Sequence, residues 1–309
     1  MDQPTLDLLR RTRTRGRQPL SGLSVQQARS FPSWYELLFG PAPELALMRD
    51  VRIATADGAS LHARLYADDA RADSLVVYFH GGGWVLGSVA AFEPCTALLA
   101  QRTGAALLSV DYRLAPEHPF PTPVLDAEAA LEFAAAHAEQ WLGRPLRRLV
   151  AMGDSAGATL ATVATRRLAR RAGARAPDLQ VLVYPVTDAG FDTPSYREFA
   201  EGHLLGADDM RWFWDHYCPD AARRADPDAS PLREPDLSGL PPTLLYTAEL
   251  DPLRDEGEAY ARRLQQAGVD CRMVRCPGVL HSFMAMARVL PLAGQAFDTV
   301  CADLRERLA

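Results

Sequence analysis

Between residues 51 and 66, apolar and polar positions alternate on either side of Asp57-Gly58, the pattern of a β-hairpin closed by a tight turn. Further along, alternation gives way to short, nearly unbroken apolar runs near 75–79, 105–111, 147–152, 179–184, 243–248 and 271–276. Runs of that length, rich in Val, Leu and Tyr, are those of strands buried on both faces. Longer stretches with helical spacing lie between them, near 91–102, 122–138, 156–171, 255–267 and 292–308. Strands that alternate with helices predict an α/β fold, a mostly parallel central sheet with helices on both faces. Residues 187–225 break this rhythm. Their density of Trp212, Phe213, Trp214 and Tyr217 marks a helical insertion rather than a crossover. No internal repeat or low-complexity tract is visible.

The 309 residues, 48% of them hydrophobic, are enough for one large core with an inserted subdomain. The basic total of 33 is all arginine, since the chain has no lysine; it also has no asparagine, which excludes N-glycosylation sequons. A net charge of −6 gives no global field to draw nucleic acid. Five arginines within residues 10–17 are read as solvated surface; no apolar region follows Arg10-Arg11 to make a twin-arginine signal. No run reaches the length of a membrane span, so stable membrane insertion is not expected. Cys95, Cys218, Cys271, Cys276 and Cys301 are odd in number and irregularly spaced, without a zinc pattern. They read as reduced thiols of a cytoplasmic protein. Cys271 and Cys276 share a predicted strand at odd separation and should face opposite sides of it.

The chemistry concentrates in two glycine-rich turns. Gly153-Asp154-Ser155-Ala156-Gly157 joins the predicted strand at 147–152 to the helix beginning at 156. This G-x-S-x-G spacing places a serine at the tip of a sharp strand-to-helix turn, where strained dihedrals require small neighbours. The Ala156 N–H then opens a helix, where amides are unpaired and the dipole favours negative charge. His80-Gly81-Gly82-Gly83-Trp84 follows the strand at 75–79 and lets backbone N–H groups approach a ligand. Attack on an ester carbonyl creates an alkoxide, and such fixed donors stabilise it. A phosphate-cradling loop is the weaker reading, because neither dinucleotide nor P-loop spacing is present.

A nucleophilic serine needs a base and an orienting carboxylate, which in this arrangement follow it in the chain. His203, His216 and His281 follow Ser155, but the first two lie in the Trp/Asp/Pro-rich insertion. His281 comes after the strand-like segment 271–276 and a predicted turn at Pro277-Gly278, at a strand's C-terminal end. Asp251 lies just past the strand at 243–248 and is the expected acid. Asp255 and Glu256 are expected in the first turn of the next helix, offsetting its dipole.

Together with Asp111-Tyr112-Arg113-Leu114-Ala115-Pro116-Glu117, Asp251-Pro252-Leu253-Arg254-Asp255 and His281-Ser282-Phe283, the two turns make the chain resemble the bacterial hormone-sensitive-lipase family of carboxylesterases from about residue 34 to its end. The resemblance implies an α/β-hydrolase core with a helical cap, and hydrolysis of short- to medium-chain carboxylic esters without a metal or other cofactor. It implies Ser155 as nucleophile, His281 as base and Asp251 as acid, with an oxyanion hole from the N–H groups of Gly82, Gly83 and Ala156. Residues 1–45, with Trp34, Tyr35, Leu37 and Leu38 as an apolar face, and residues 187–225 would form the cap over a catalytic domain of 46–186 and 226–309. Trp84, Phe213 and Trp214 would line or support the substrate pocket. Relatives commonly have glycine after the histidine, where this chain has Ser282. The expected partner is a small-molecule ester, with a homodimer the assembly considered. Hydrolysis of an amide, a lactone or an acetylated small molecule is the alternative, and a non-catalytic small-molecule receptor on the same scaffold a more remote one.

Overall fold

The computed structural model describes residues 2–14, 19–30, 41–69 and 72–309. Trp34, Tyr35, Leu37 and Leu38 lie outside these residues. Eight strands form one sheet in the order β1-β2-β4-β3-β5-β6-β7-β8. They are β1 Leu47–Ala54, β2 Ser60–Ala67, β3 Ser74–Phe79, β4 Ala106–Val110, β5 Arg148–Asp154, β6 Leu179–Val183, β7 Thr243–Leu250 and β8 Cys271–Leu280. The β1–β2 hairpin turns at Asp57-Gly58 and joins β4 antiparallel; all later pairings are parallel.

The central strands are buried on both faces, and period-2 alternation divides their side chains between two cores. Leu75, Val77 and Phe79 of β3 face one, and Val76 and Tyr78 the other. The first core is filled by α4 (Thr122–Leu142), α5 (Ala156–Arg170) and α8 (Arg254–Gln266), the second by α3 (Val89–Thr103) and α9 (Pro291–Leu308). Cys271 and Cys276 fall into opposite cores, as their odd separation requires. All five cysteines are free and buried.

Strand β8 differs from expectation. Pro277-Gly278 is not a turn ending the strand; β8 runs through both residues to Leu280. A proline has no amide for a ladder, but β8 is an edge strand, and the pairing with β7 shifts register between Ala248 and Leu250. Gly278, at φ 68°, donates its N–H to Glu249 Oε2 at 2.6 Å. The irregularity carries the chain to His281.

Helices α1 (Gln3–Thr14) and α2 (Val25–Ser30) precede the sheet; α6 (Pro194–Glu198) and α7 (Ala207–Tyr217) lie in the insertion. The Leu20 N–H donates to Asp209 at 2.9 Å, and the Trp212 indole N–H to the Leu23 carbonyl at 3.3 Å. Arg29 reaches the carbonyls of Val85 and Ala115 at 3.0 and 2.8 Å and grips both oxygens of Glu117. That guanidinium holds the Glu117 carboxyl down at about 2. On α5, buried Arg166 pairs with Glu234 at 3.0 Å and with Asp228, fastening the segment after the insertion to the core. The planar five-donor guanidinium suits such two-partner pairing better than lysine would.

Two glycines separate close packing from backbone conformation. A β-carbon on Gly157 would stand 1.9 Å from the Phe79 carbonyl oxygen, whereas one on Gly104 (φ 70°) would meet nothing within 4 Å. Gly157→Ala is therefore expected to cost at least about 3 kcal/mol, since backbone cannot yield, and Gly104→Ala about 1 kcal/mol from left-handed strain alone. Urea-denaturation midpoints of the two variants check the ranking.

Candidate active site

Four loops, each leaving the C-terminal end of a parallel strand, meet at one place, as doubly wound sheets arrange their sites. Ser155 follows β5, Asp251 follows β7, His281 follows β8, and residues 80–84 follow β3. Ser155 has φ 55° and ψ −122°, a region L-residues rarely occupy and that costs roughly 1–3 kcal/mol. The surroundings fix it there. The Ser155 N–H donates to the Val183 carbonyl at 2.8 Å, and the Ser155 carbonyl accepts from Ala158 at 3.0 Å.

The side chains then line up. His281 Nε2 lies 3.1 Å from Ser155 Oγ, and His281 Nδ1 lies 2.7 Å from Asp251 Oδ2. A carboxylate accepts only, so Nδ1 carries the hydrogen and Nε2 is left to accept from the serine hydroxyl. Asp251 is fully buried, and its other oxygen accepts from the Leu253 N–H at 2.9 Å. Asp255 points elsewhere: it pairs with Arg254 at 2.9 Å and accepts from the Ser195 N–H at 2.8 Å. His203 bonds the Glu201 carbonyl and His216 packs on Trp212, so the structure brings neither into this relay. Ser282 has φ 66°. The position calls for left-handed backbone, which glycine adopts freely and Ser282 adopts at roughly 1–2 kcal/mol.

Asp154, between Gly153 and Ser155, fills a variable position of the turn, so no sequence signal marks it. It is buried and accepts from the Tyr78 hydroxyl at 2.7 Å, the Gly81 N–H at 2.8 Å and the Tyr184 hydroxyl at 3.2 Å. Burial raises its carboxyl above the usual value despite these donors. The residue bolts the 80–84 loop to the serine turn. It also commits the Gly81 amide. Gly82 and Gly83 have φ 113° and 60°, conformations glycine accommodates without strain. The Tyr184 ring lies 4.7 Å from the His281 ring and 5.0 Å from Phe283, bracing the histidine from the side.

Residues 111–117 serve this loop as well. The Tyr112 hydroxyl donates to the His80 carbonyl at 2.8 Å and its ring stacks on His80 at 4.5 Å; Arg113 pairs with buried Asp126. Burial holds the His80 imidazole below its ordinary pKa, and its Nδ1 lies 2.7 Å from the Gly81 carbonyl.

The three aromatic residues expected at a pocket occupy different depths. Trp84 and Trp214 are fully buried: Trp84 stacks on Tyr217 at 3.9 Å and meets Trp214 edge-on at 5.1 Å, so neither side chain is open to solvent. Phe213 is the one against the 80–84 loop. A β-carbon on Gly83 would stand 2.1 Å from its ring. Among the described residues, no cluster of His, Cys, Asp and Glu could hold a metal ion, and no helix is long and apolar enough to cross a membrane.

Comparison with known proteins matches residues 76–285 to a family described as the alpha/beta hydrolase fold. The chain is 39% identical over 295 residues to an ethyl acetate hydrolase of Pseudomonas putida, covering 94% of this chain and 92% of that protein. It is 38% identical over 272 residues to the carboxylesterase NlhH of Mycobacterium tuberculosis, covering 86% and 84%. Among solved structures, a thermostable esterase from Pseudomonas putida ECU1011 superposes with a TM-score of 0.91 at 35% identity, covering 100% of this chain and 98% of that one. With its eight-stranded sheet, the family match and ester hydrolases as relatives over nearly its whole length, the chain belongs to the α/β-hydrolase-fold family and is a carboxylesterase.

Proposed function

We propose that the chain is a member of the hormone-sensitive-lipase branch of that family, and that it hydrolyses short- to medium-chain carboxylic esters through an acyl-enzyme on Ser155. The observation that carries this reading is the relay from Asp251 through His281 to Ser155, at 2.7 and 3.1 Å, facing a loop of free-turning glycines. His281 Nε2 takes the Ser155 proton as Oγ attacks the ester carbonyl. The carbonyl oxygen, now an alkoxide, accepts from the N–H groups of Gly82, Gly83 and Ala156; losing one such donor costs roughly 100- to 1,000-fold in rate. The imidazolium, held by Asp251, returns the proton to the leaving alcohol. Water, deprotonated by His281, then releases the acid and restores the serine. The chemistry calls for no metal or cofactor.

Residues 1–45 and 187–225 form the cap in this reading. The bonds of Leu20, Leu23 and Arg29 to the insertion and to the 85–117 region support it, as does Phe213 over Gly83. A closed apolar wall limits acyl length, because each buried CH₂ contributes only about 0.8 kcal/mol until the space is filled. Five free, buried cysteines support a cytoplasmic setting.

Ser155→Ala should fold normally and lose about a millionfold in kcat, as such relays do when the nucleophile is removed. A fluorophosphonate probe should label the parent at Ser155 alone; labelling elsewhere overturns the assignment. Asp251→Asn should lower kcat by about 10⁴, and Asp255→Asn far less, because Asp255 faces Arg254 and Ser195; a reversed order names the wrong acid. On p-nitrophenyl esters, kcat/KM should peak at roughly four to eight acyl carbons. Phe213→Ala or deletion of residues 1–30 should shift that peak, and an unchanged profile in both removes them from the pocket. EDTA should leave the rate unchanged.

A further inference from the structure

The first turn of α8 holds a second buried carboxylate, which the relay does not use. Sequence spacing makes Glu256 an ordinary first-turn acid offsetting the helix dipole, but it is only 1% exposed. Its Oε1 accepts from the backbone N–H of Thr187 at 2.7 Å and of Asp188 at 3.3 Å. These residues continue the segment after β6 that cradles the nucleophile. Val183 receives the Ser155 N–H, and Val186 accepts from the Thr159 hydroxyl at 2.6 Å. Glu256 thus ties the helix that begins beside Asp251 to the loop lying behind Ser155.

Its other oxygen is the informative one. The Glu256 carboxyl and the buried Tyr196 hydroxyl interact with each other, and the buried Thr187 hydroxyl meets no hydrogen-bond partner among the described residues. Burying an ionised carboxylate away from water is far more costly than burying the neutral acid. Three titratable groups act on this pocket. Asp188 and Asp251 act on Glu256 through their charge, and the Tyr196 phenol is pushed well above its usual value by burial and then by Glu256 and Asp251. Arg233 stands one group removed, paired with Asp188 at 2.5 Å. Burial pushes the Glu256 carboxyl well above its ordinary value; the two N–H donors oppose this and the anions of Asp188 and Asp251 reinforce it.

We propose that Glu256 is a positioning residue held as a neutral carboxylic acid, clamping the Asp251 loop to the loop behind Ser155 without setting a second negative charge near the Asp251–His281 pair. A neutral acid offers one oxygen to the Thr187 and Asp188 amides and one O–H toward the Tyr196 hydroxyl. A carboxylate there would stabilise the protonated form of His281 and hold back the base. The inference rests on Ser155, His281 and Asp251 being the catalytic relay.

Glutamine tests the idea directly, because its carbonyl and NH₂ reproduce the acceptor and donor of the protonated acid. Parent, E256Q, E256A and S155A are assayed for p-nitrophenyl butyrate hydrolysis from about pH 5 to about pH 9. E256A is expected to lower kcat roughly tenfold or more with KM little changed, since small misplacements of a relay suffice for that. E256Q is expected to rescue kcat to within about twofold and to leave the midpoint of the acid limb in place. A midpoint in E256Q displaced toward acid by about half a unit or more shows that Glu256 was charged and overturns the proposal. Parent-like kcat in E256A overturns the clamp. If E256A does not fold, E256D, one carbon short of Thr187, replaces it. Activity retained in S155A overturns the relay itself, whatever the Glu256 variants do.

Discussion

The helix that begins at Ala156 lies so close to strand β3 that no side chain fits between them: a β-carbon on Gly157 would be 1.9 Å from the Phe79 carbonyl and 2.6 Å from that of His80. A β-carbon on Gly153 would in turn be 2.3 Å from the Gly157 carbonyl. The two glycines of the turn are therefore set by backbone against backbone. This close approach puts the helix N-terminus, the strained Ser155 and the loop after Phe79 within reach of one another. The strain at Ser155 persists because strand β6 holds its N–H and the first turn of α5 holds its carbonyl through hydrogen bonds.

Around that contact the protein builds with buried polar groups rather than with apolar packing alone. Asp154 gathers two tyrosine hydroxyls and one amide and so fixes the serine turn and the 80–84 loop as one piece. Tyr184 belongs to the same group and also braces His281. Glu256 plays the corresponding part on the other side, between the loops after β6 and β7. Groups of this kind stabilise little in net terms, because each hydrogen bond replaces one to water, but they are expensive to leave unpaired. They select a single arrangement of the loops, which relay geometry demands.

The layer above the sheet is held differently. The rings of Trp84, Trp214 and Tyr217 form one cluster, stacked for Trp84 on Tyr217 and edge-on for Trp214, with Phe213 nearby against Gly83. Arginines fasten the periphery: Arg29 joins α2 to Glu117, and Arg166 joins α5 to Asp228 and Glu234. In a chain whose basic residues are all arginine, such two-partner contacts fix segments that have few strands or helices of their own.

The alternation of apolar runs and helical spacing determined the sheet, its helices and the β1–β2 hairpin, because burial on two faces leaves a period that does not depend on distant partners. Glycine spacing likewise determined where Ser155 and residues 80–84 would turn, since the conformations there exclude most side chains. The sequence by itself also brought forward Asp251 and His281, by their position just beyond strands. It misplaced the end of β8, because a proline reads as a terminator unless the strand is known to lie at an edge. Only tertiary structure decided the roles of Asp154, Tyr184 and Glu256. Asp154 sits at a position of the turn that tolerates any residue, and Glu256 looks like a solvated first-turn acid. What makes each matter is a partner 30 to 76 residues away in the chain, and pairings at that range leave no period or local spacing to read.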